Sequence, residues 1–256
     1  MPAVTLEPGV DLRPAADRDR TQVGWLDSAH SFNFGPHRTP GNSHFGLLLV
    51  SNDDVVAPGT GFETHPHQDM EIVTWVLDGG LVHQDSTGHH GLIHPGLAQR
   101  MSAGTGILHS EKNDSWRTTG APEHVDPVQF VQMWVVPDTP SIEPGYEQLD
   151  ITAELAAGDL VTVASGMAKH ADRRAIRIRN SYAGLHAARL ADGETVTLPD
   201  APFVHLFVAK GAVDLESEGL LATGDAARIT ASEGRRVTAV GGRAEVLVWE
   251  MHAQLG

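Results

Sequence analysis

His65-Pro-His67 and Asp69-Met-Glu71 place four metal-donor side chains at every second position. In an extended strand, residues i, i+2 and i+4 face the same side, so both imidazoles and either carboxylate can reach one point. A second segment, His109-Ser-Glu111, repeats the spacing. If the two segments lie side by side as strands, they form a metal site. The expectation is a fold that brings two β-segments, about forty residues apart, onto one cation.

The rest of the chain has the same short-strand rhythm. Phe45–Val50 is an apolar run bounded by turn signals, and Asp53-Asp54 with Pro58-Gly59 reads as the turn that ends it. Met70–Leu77 is β-branched and aromatic and stops at Asp78-Gly79-Gly80, with Leu81–Asp85 as the return strand. Val128–Val136 is a further strand, stopped by Pro137. The Pro-rich stretch 137–145 marks a boundary, giving an N-terminal unit over 1–137 and a C-terminal unit over 138–256. A second β-series follows, including 160–163, 175–179, 184–190, 203–208 and 244–249. Arg13–Arg20 is expected as a surface arm or edge strand, and 148–156 as at most one short helix. The fold class is all-β.

Several stretches resemble the cupin barrel and, within it, the pirin family. They are His30-Ser-Phe-Asn-Phe-Gly35, Phe45–Asp54, Val56–Phe62, the His65/His67 pair with Met70–Leu77, Gly104-Thr-Gly-Ile-Leu-His-Ser-Glu111, and Val131–Pro137. The resemblance is strong over residues 30–137 and weaker beyond. It implies two tandem cupin (jelly-roll) β-barrels, the first binding metal. It also implies His65, His67, His109 and Glu111 as the ligands. Glu71 is the reserve carboxylate, either a ligand or a group orienting one. The second unit has no His-x-His or His-x-Glu pair and is expected to be metal-free. Family members commonly carry a proline where this chain has Gly104.

Eleven of the fifteen histidines lie between His30 and His124, which places any metal in the first half. His83, His89, His90 and His94 read as turn or surface residues, and Trp75, Met101, Phe130 and Met133 as core. Cysteine is absent, so disulfides and thiolate ligands are excluded. A net charge of -15 with no basic stripe argues against direct nucleic-acid binding. No run of about 18 apolar residues is present, and Met1–Asp11 lacks the pattern of a secretory leader. The expectation is a cytoplasmic protein without membrane contact.

Three neutral imidazoles and one carboxylate suit a divalent first-row metal, whose identity the ligand set alone does not fix; the expectation is Fe(II), with Ni, Mn, Co, Cu or Zn as alternatives. One glutamate cancels half of a 2+ charge, leaving the site able to hold an anionic oxygen. The resemblance implies a quercetin 2,3-dioxygenase-like enzyme acting on a small aromatic or enolisable substrate with O2, in which Glu111 also serves as catalytic base. The alternative it implies is a redox-sensitive metalloprotein that works through protein partners.

Overall fold

The computed structural model describes residues 7–256, so the reading of Met1–Asp11 falls partly outside the described residues. The chain forms four sheets, and the strand pairings are antiparallel. In the first half, a seven-stranded sheet runs in the order Gly145–Asp150, Leu97–Ser102, Glu71–Asp78, Val128–Val135, Leu48–Val56, Leu26–His30, Asp19–Val23. A four-stranded sheet accompanies it: Gly61–His67, Ile107–Lys112, Leu81–Asp85, His90–Ile93. The second half repeats the plan with six strands and four. Each unit is thus a jelly roll of two sheets, not a ladder closed all the way round. Among the described residues, no helix is long and apolar enough to cross a membrane.

Alternation along the large sheets decides what each face meets. On Glu71–Asp78, Val73, Trp75 and Leu77 belong to a core cluster that also contains Leu185, Phe207, Leu247 and Trp249 of the second half. The two large sheets therefore pack face to face, and Trp75 Nε1 donates to Glu245 Oε1 at 2.7 Å across that seam. The even-numbered residues of the same strand point into the first jelly roll. Val76 joins Leu26, Leu81, Ile93 and Phe130 at one end, and Ile72 joins Met101, Ala103 and Ile107 at the other. Thr74 lies between these two apolar ends, buried. The second jelly roll has its own interior, built from Leu206, Val213, Val237, Val246 and their neighbours.

Two expectations are corrected. The strand beginning at Leu48 continues to Val56 through Asp53-Asp54, which is not a turn. Its inward residue Asp54 is buried, and burial pushes its carboxyl up to about 7. A protonated acid can occupy a strand interior where a charged one could not. Residues 175–179 form no ladder strand, only one isolated bridge between Ala164 and Ile176. Their backbone groups are held instead by side chains of the first half. Glu147 accepts from the Arg177 amide, Glu71 accepts from the Arg179 amide, and Arg100 donates to the Arg177 carbonyl. Two strands pair with segments on the other side of residue 137. Gly9–Arg13 pairs with Ala226–Thr230 in the second half's sheet, and Gly145–Asp150 pairs with Leu97–Ser102 in the first half's.

Candidate metal centre

Gly61–His67 and Ile107–Lys112 are antiparallel neighbours, with His109 directly opposite His65 and Ile107 opposite His67. The register slips between His109 and Glu111, so that Glu111 faces Phe62. Such a bulge re-aims side chains locally and is common beside functional sites. Gly61 makes the slip feasible: its φ is +151°, and a Cβ there would lie 2.2 Å from the Glu111 carbonyl oxygen. Gly104, standing where the family pattern has proline, is equally constrained. With φ of +48°, a Cβ at this position would meet the Ile142 carbonyl at 2.1 Å.

The imidazoles of His65, His67 and His109 converge, with one nitrogen from each within 4.8 Å of the others. Ring centroids lie 4.5 Å apart for His65–His109 and 4.8 Å for His65–His67 and His67–His109. Burial first, then His109 and His65 for His67, and His65 and His83 for His109, hold both rings down to about 3, so both are neutral at ordinary pH. His65 Nδ1 lies 2.7 Å from the Glu63 carbonyl and must donate to it. Its Nε2 therefore carries a lone pair, and it faces His109 Nε2 at 3.1 Å. His67 Nε2 is buried without a hydrogen-bond partner. The His65 lone pair and the orphaned His67 nitrogen are what a cation between the rings would satisfy, so the donor set fits a transition metal.

Glu111 is buried, and it groups with His83 and His109 rather than with His65 and His67. Its two oxygens accept from Gln132 Nε2 at 2.9 and 2.8 Å, and Thr74 Oγ1 donates to Oε1 at 3.4 Å. Gln132 is itself oriented by Trp134, whose Nε1 donates to Gln132 Oε1 at 3.0 Å. Trp134 also stands edge-on to His67, 4.8 Å between centroids. Burial raises the Glu111 carboxyl above its ordinary range, against the opposing pull of His83 and Gln132.

Glu71, the reserve carboxylate, does not reach this cluster. It lies on the seam side of its strand, where Oε2 accepts from the Arg179 amide at 2.9 Å. His83 is the opposite case, expected at a turn but buried. It faces Glu111 across the sheet, stacks on Tyr146 and lies 3.4 Å from Asp85 Oδ2. The signal was available: Leu81, His83 and Asp85 share a parity on the return strand, and pairing that strand with 109–112 puts 83 opposite 111. Gln132 and Thr74 carried no local signal, because their roles depend on the strands that lie across from them.

An open depression of about 440 Å³, lined by Pro66, His67, Ser86, Gly106, Ile107 and Leu108, reaches the cluster from outside.

The model of the Pirin family matches residues 13–135. A Mycobacterium tuberculosis protein, Rv0181c, named provisionally as a quercetin 2,3-dioxygenase, is 56% identical over 96% of this chain and 97% of its own length. The quercetin 2,3-dioxygenase of Escherichia coli K12 is 45% identical over 54% of this chain and 56% of its own. Among solved structures, the bacterial pirin YhhW of Escherichia coli in complex with nickel(II) superposes with a TM-score of 0.83 at 32% identity, covering 96% of this chain and all (100%) of that one. With its fold and its cluster of strand histidines in agreement with these matches, the chain belongs to the pirin family.

Proposed function

We propose that the protein is a metal-dependent dioxygenase that opens the central ring of a flavonol such as quercetin with O2. The observation that carries this reading is the convergence of three neutral imidazoles, next to a buried carboxylate, at a depression open to solvent. His65, His67 and His109 would hold a divalent metal, and Glu111 would complete the set from the His109 side. Fe(II) is the favoured ion; the nickel complex of YhhW supports the divalent class. Bound there, such a metal supplies Lewis acidity and a seat for an anionic oxygen.

The chain's own residues do the rest. Glu111 is the proton acceptor: its raised proton affinity suits removal of an acidic hydroxyl proton at neutral pH. Gln132 and Thr74 hold its carboxylate in place, so little reorganisation accompanies the transfer. The apolar side chains of Ile107 and Leu108, together with the Trp134 ring beside His67, offer a flat aromatic molecule an apolar wall near the cluster.

The test is anaerobic reconstitution with Fe, Mn, Co, Ni and Cu separately, each followed by oxygen uptake with quercetin. Uptake with at least one metal, lost in Glu111→Ala that still retains metal, is the expected result. Absence of uptake with every metal sinks the proposal and favours a metal-dependent regulator acting through a protein partner.

A further inference from the structure

Beneath the crossing strand Gly9–Arg13, the two jelly rolls enclose a second polar feature, remote in sequence from the histidine cluster. A cavity of about 60 Å³ is lined by Arg13, Arg18, Ser31, His205 and Arg228, with Asp17 and Asp19 also on its wall. Since a water needs roughly 10–15 Å³ of such space, the cavity can hold a few waters or one small oxyanion.

Its buried end is rich in polar atoms that lack partners. His205 is 1% exposed and Arg228 7% exposed. The Nε atoms of Arg18 and Arg228, His205 Nε2 and Ser31 Oγ are all buried without a hydrogen-bond partner among the described residues. Buried polar groups left unpaired are costly, and the two guanidinium N–H groups facing one space call for an acceptor. Backbone and amide oxygens use only part of the guanidinium capacity. Arg228 Nη2 donates to the Ser31 carbonyl at 2.8 Å and to Asn42 Oδ1 at 2.6 Å, and Arg18 Nη2 donates to the Ala29 carbonyl at 2.6 Å.

The chain is acidic overall at -15, yet among the described residues neither Arg18 nor Arg228 has a carboxylate within ion-pair distance. Arg13 is already engaged with Asp11 at 3.5 Å. Burial, then the nearby Arg13 charge, lowers Arg228 to about 10, while burial followed by Arg228 and Arg18 holds His205 down to about 3. Carboxylates reach the two buried arginines only through space, Asp53 and Asp54 acting on Arg18 and Asp11 on Arg228. Asp17 and Asp19 do not figure among the charges acting on either arginine.

We propose that this cavity is a binding site for a small oxyanion, of the phosphate, sulfate or carboxylate class, held by Arg18 and Arg228 with the His205 ring on its wall. Because Arg228 comes from the second half and Ser31 and Arg18 from the first, the bound anion ties the two jelly rolls together. Guanidinium groups suit oxyanions through paired, charge-assisted hydrogen bonds.

The test uses the full-length protein, with sodium phosphate, sulfate and acetate each compared with chloride at matched ionic strength. Thermal unfolding and calorimetric titration are the first readouts. The expected result is a midpoint that rises with the logarithm of the concentration of at least one oxyanion, with saturable binding of about one anion per chain. Affinity should fall about tenfold or more in Arg18→Gln and in Arg228→Gln. If Arg228→Gln fails to fold, Arg18→Gln and the nitrogen NMR signals of the His205 ring in the unmodified protein carry the test. Those signals must shift on saturation with the anion. Equal salt effects in all variants, or an unmoved His205 signal, mean an adventitious ion only and overturn the site. A crystal structure at saturating anion that shows only waters in the cavity does the same.

Discussion

His109 Nε2 faces His65 Nε2 at 3.1 Å across an antiparallel pair, and His65 has already committed its Nδ1 proton to the Glu63 carbonyl. Two ring nitrogens in that relation share either the His109 N–H proton or a bound cation. Substituting His109 by Ala should therefore reduce bound transition metal from about one ion per chain to a small fraction of that. Elemental analysis after dialysis measures it. An unchanged metal content would place the ion elsewhere.

Gln132 bridges both oxygens of Glu111 and is itself held by Trp134. Removing such a support commonly lowers metal affinity or activity about 10–100-fold. Gln132→Leu should show a loss in that range by competition with a chelator, with the fold intact by circular dichroism. A loss smaller than about twofold would mean that Gln132 does not position Glu111.

Glu71 makes the contrasting prediction. Its Oε2 accepts from the Arg179 amide at the seam between the halves. Glu71→Ala should lower stability by about 1–3 kcal/mol, since it leaves a buried donor without its partner. Metal content should stay the same. Urea unfolding and elemental analysis on one preparation separate the two effects, and a metal-free variant would restore Glu71 as a ligand candidate.

Trp75 and Glu245 form a 2.7 Å hydrogen bond between the jelly rolls, with Arg189 Nε on the other carboxylate oxygen at 2.9 Å. Trp75→Phe keeps an aromatic ring but not the donor. The expected cost is about 1–3 kcal/mol in unfolding free energy, from the lost bond and the smaller ring. Restoration of stability by a further Glu245→Gln change is not expected, because Arg189 then loses its charge partner.

Acid should unfold the second jelly roll in two stages. Burial, then the neighbouring His186, lowers His170 to about 4. Burial acts to raise Glu250, but hydrogen bonds from His186, Lys169 and His252 outweigh it and bring the group down to about 2. In both cases the unfolded chain binds the proton more readily, so stability falls as pH falls. His170 contributes that loss from about 6.5 down to its folded value, and Glu250 from about 4.3 down to its own. Urea midpoints measured from pH 7 to pH 3 should decline throughout, and Glu250→Gln should flatten the lower stage. A flat profile for the unmodified protein contradicts this.

Strand parity was legible from residues alone, because side chains alternate with a period of two wherever the backbone is extended. That period marked His65, His67 and His109 as able to share a point, and the four-stranded sheet brings them together. Turn spacing likewise announced an all-β chain. What lies across from a strand is a separate matter, set by pairing between distant segments. Only the folded chain turned Glu71 toward Arg179, seated His83 beside Glu111, and gave Gln132 its two hydrogen bonds. Only the crossing of strand Gly9–Arg13 onto the far sheet closed arginines 18 and 228 around one cavity. Alternation decides which face a side chain occupies; the partner on that face is decided by contacts that no local window of sequence contains.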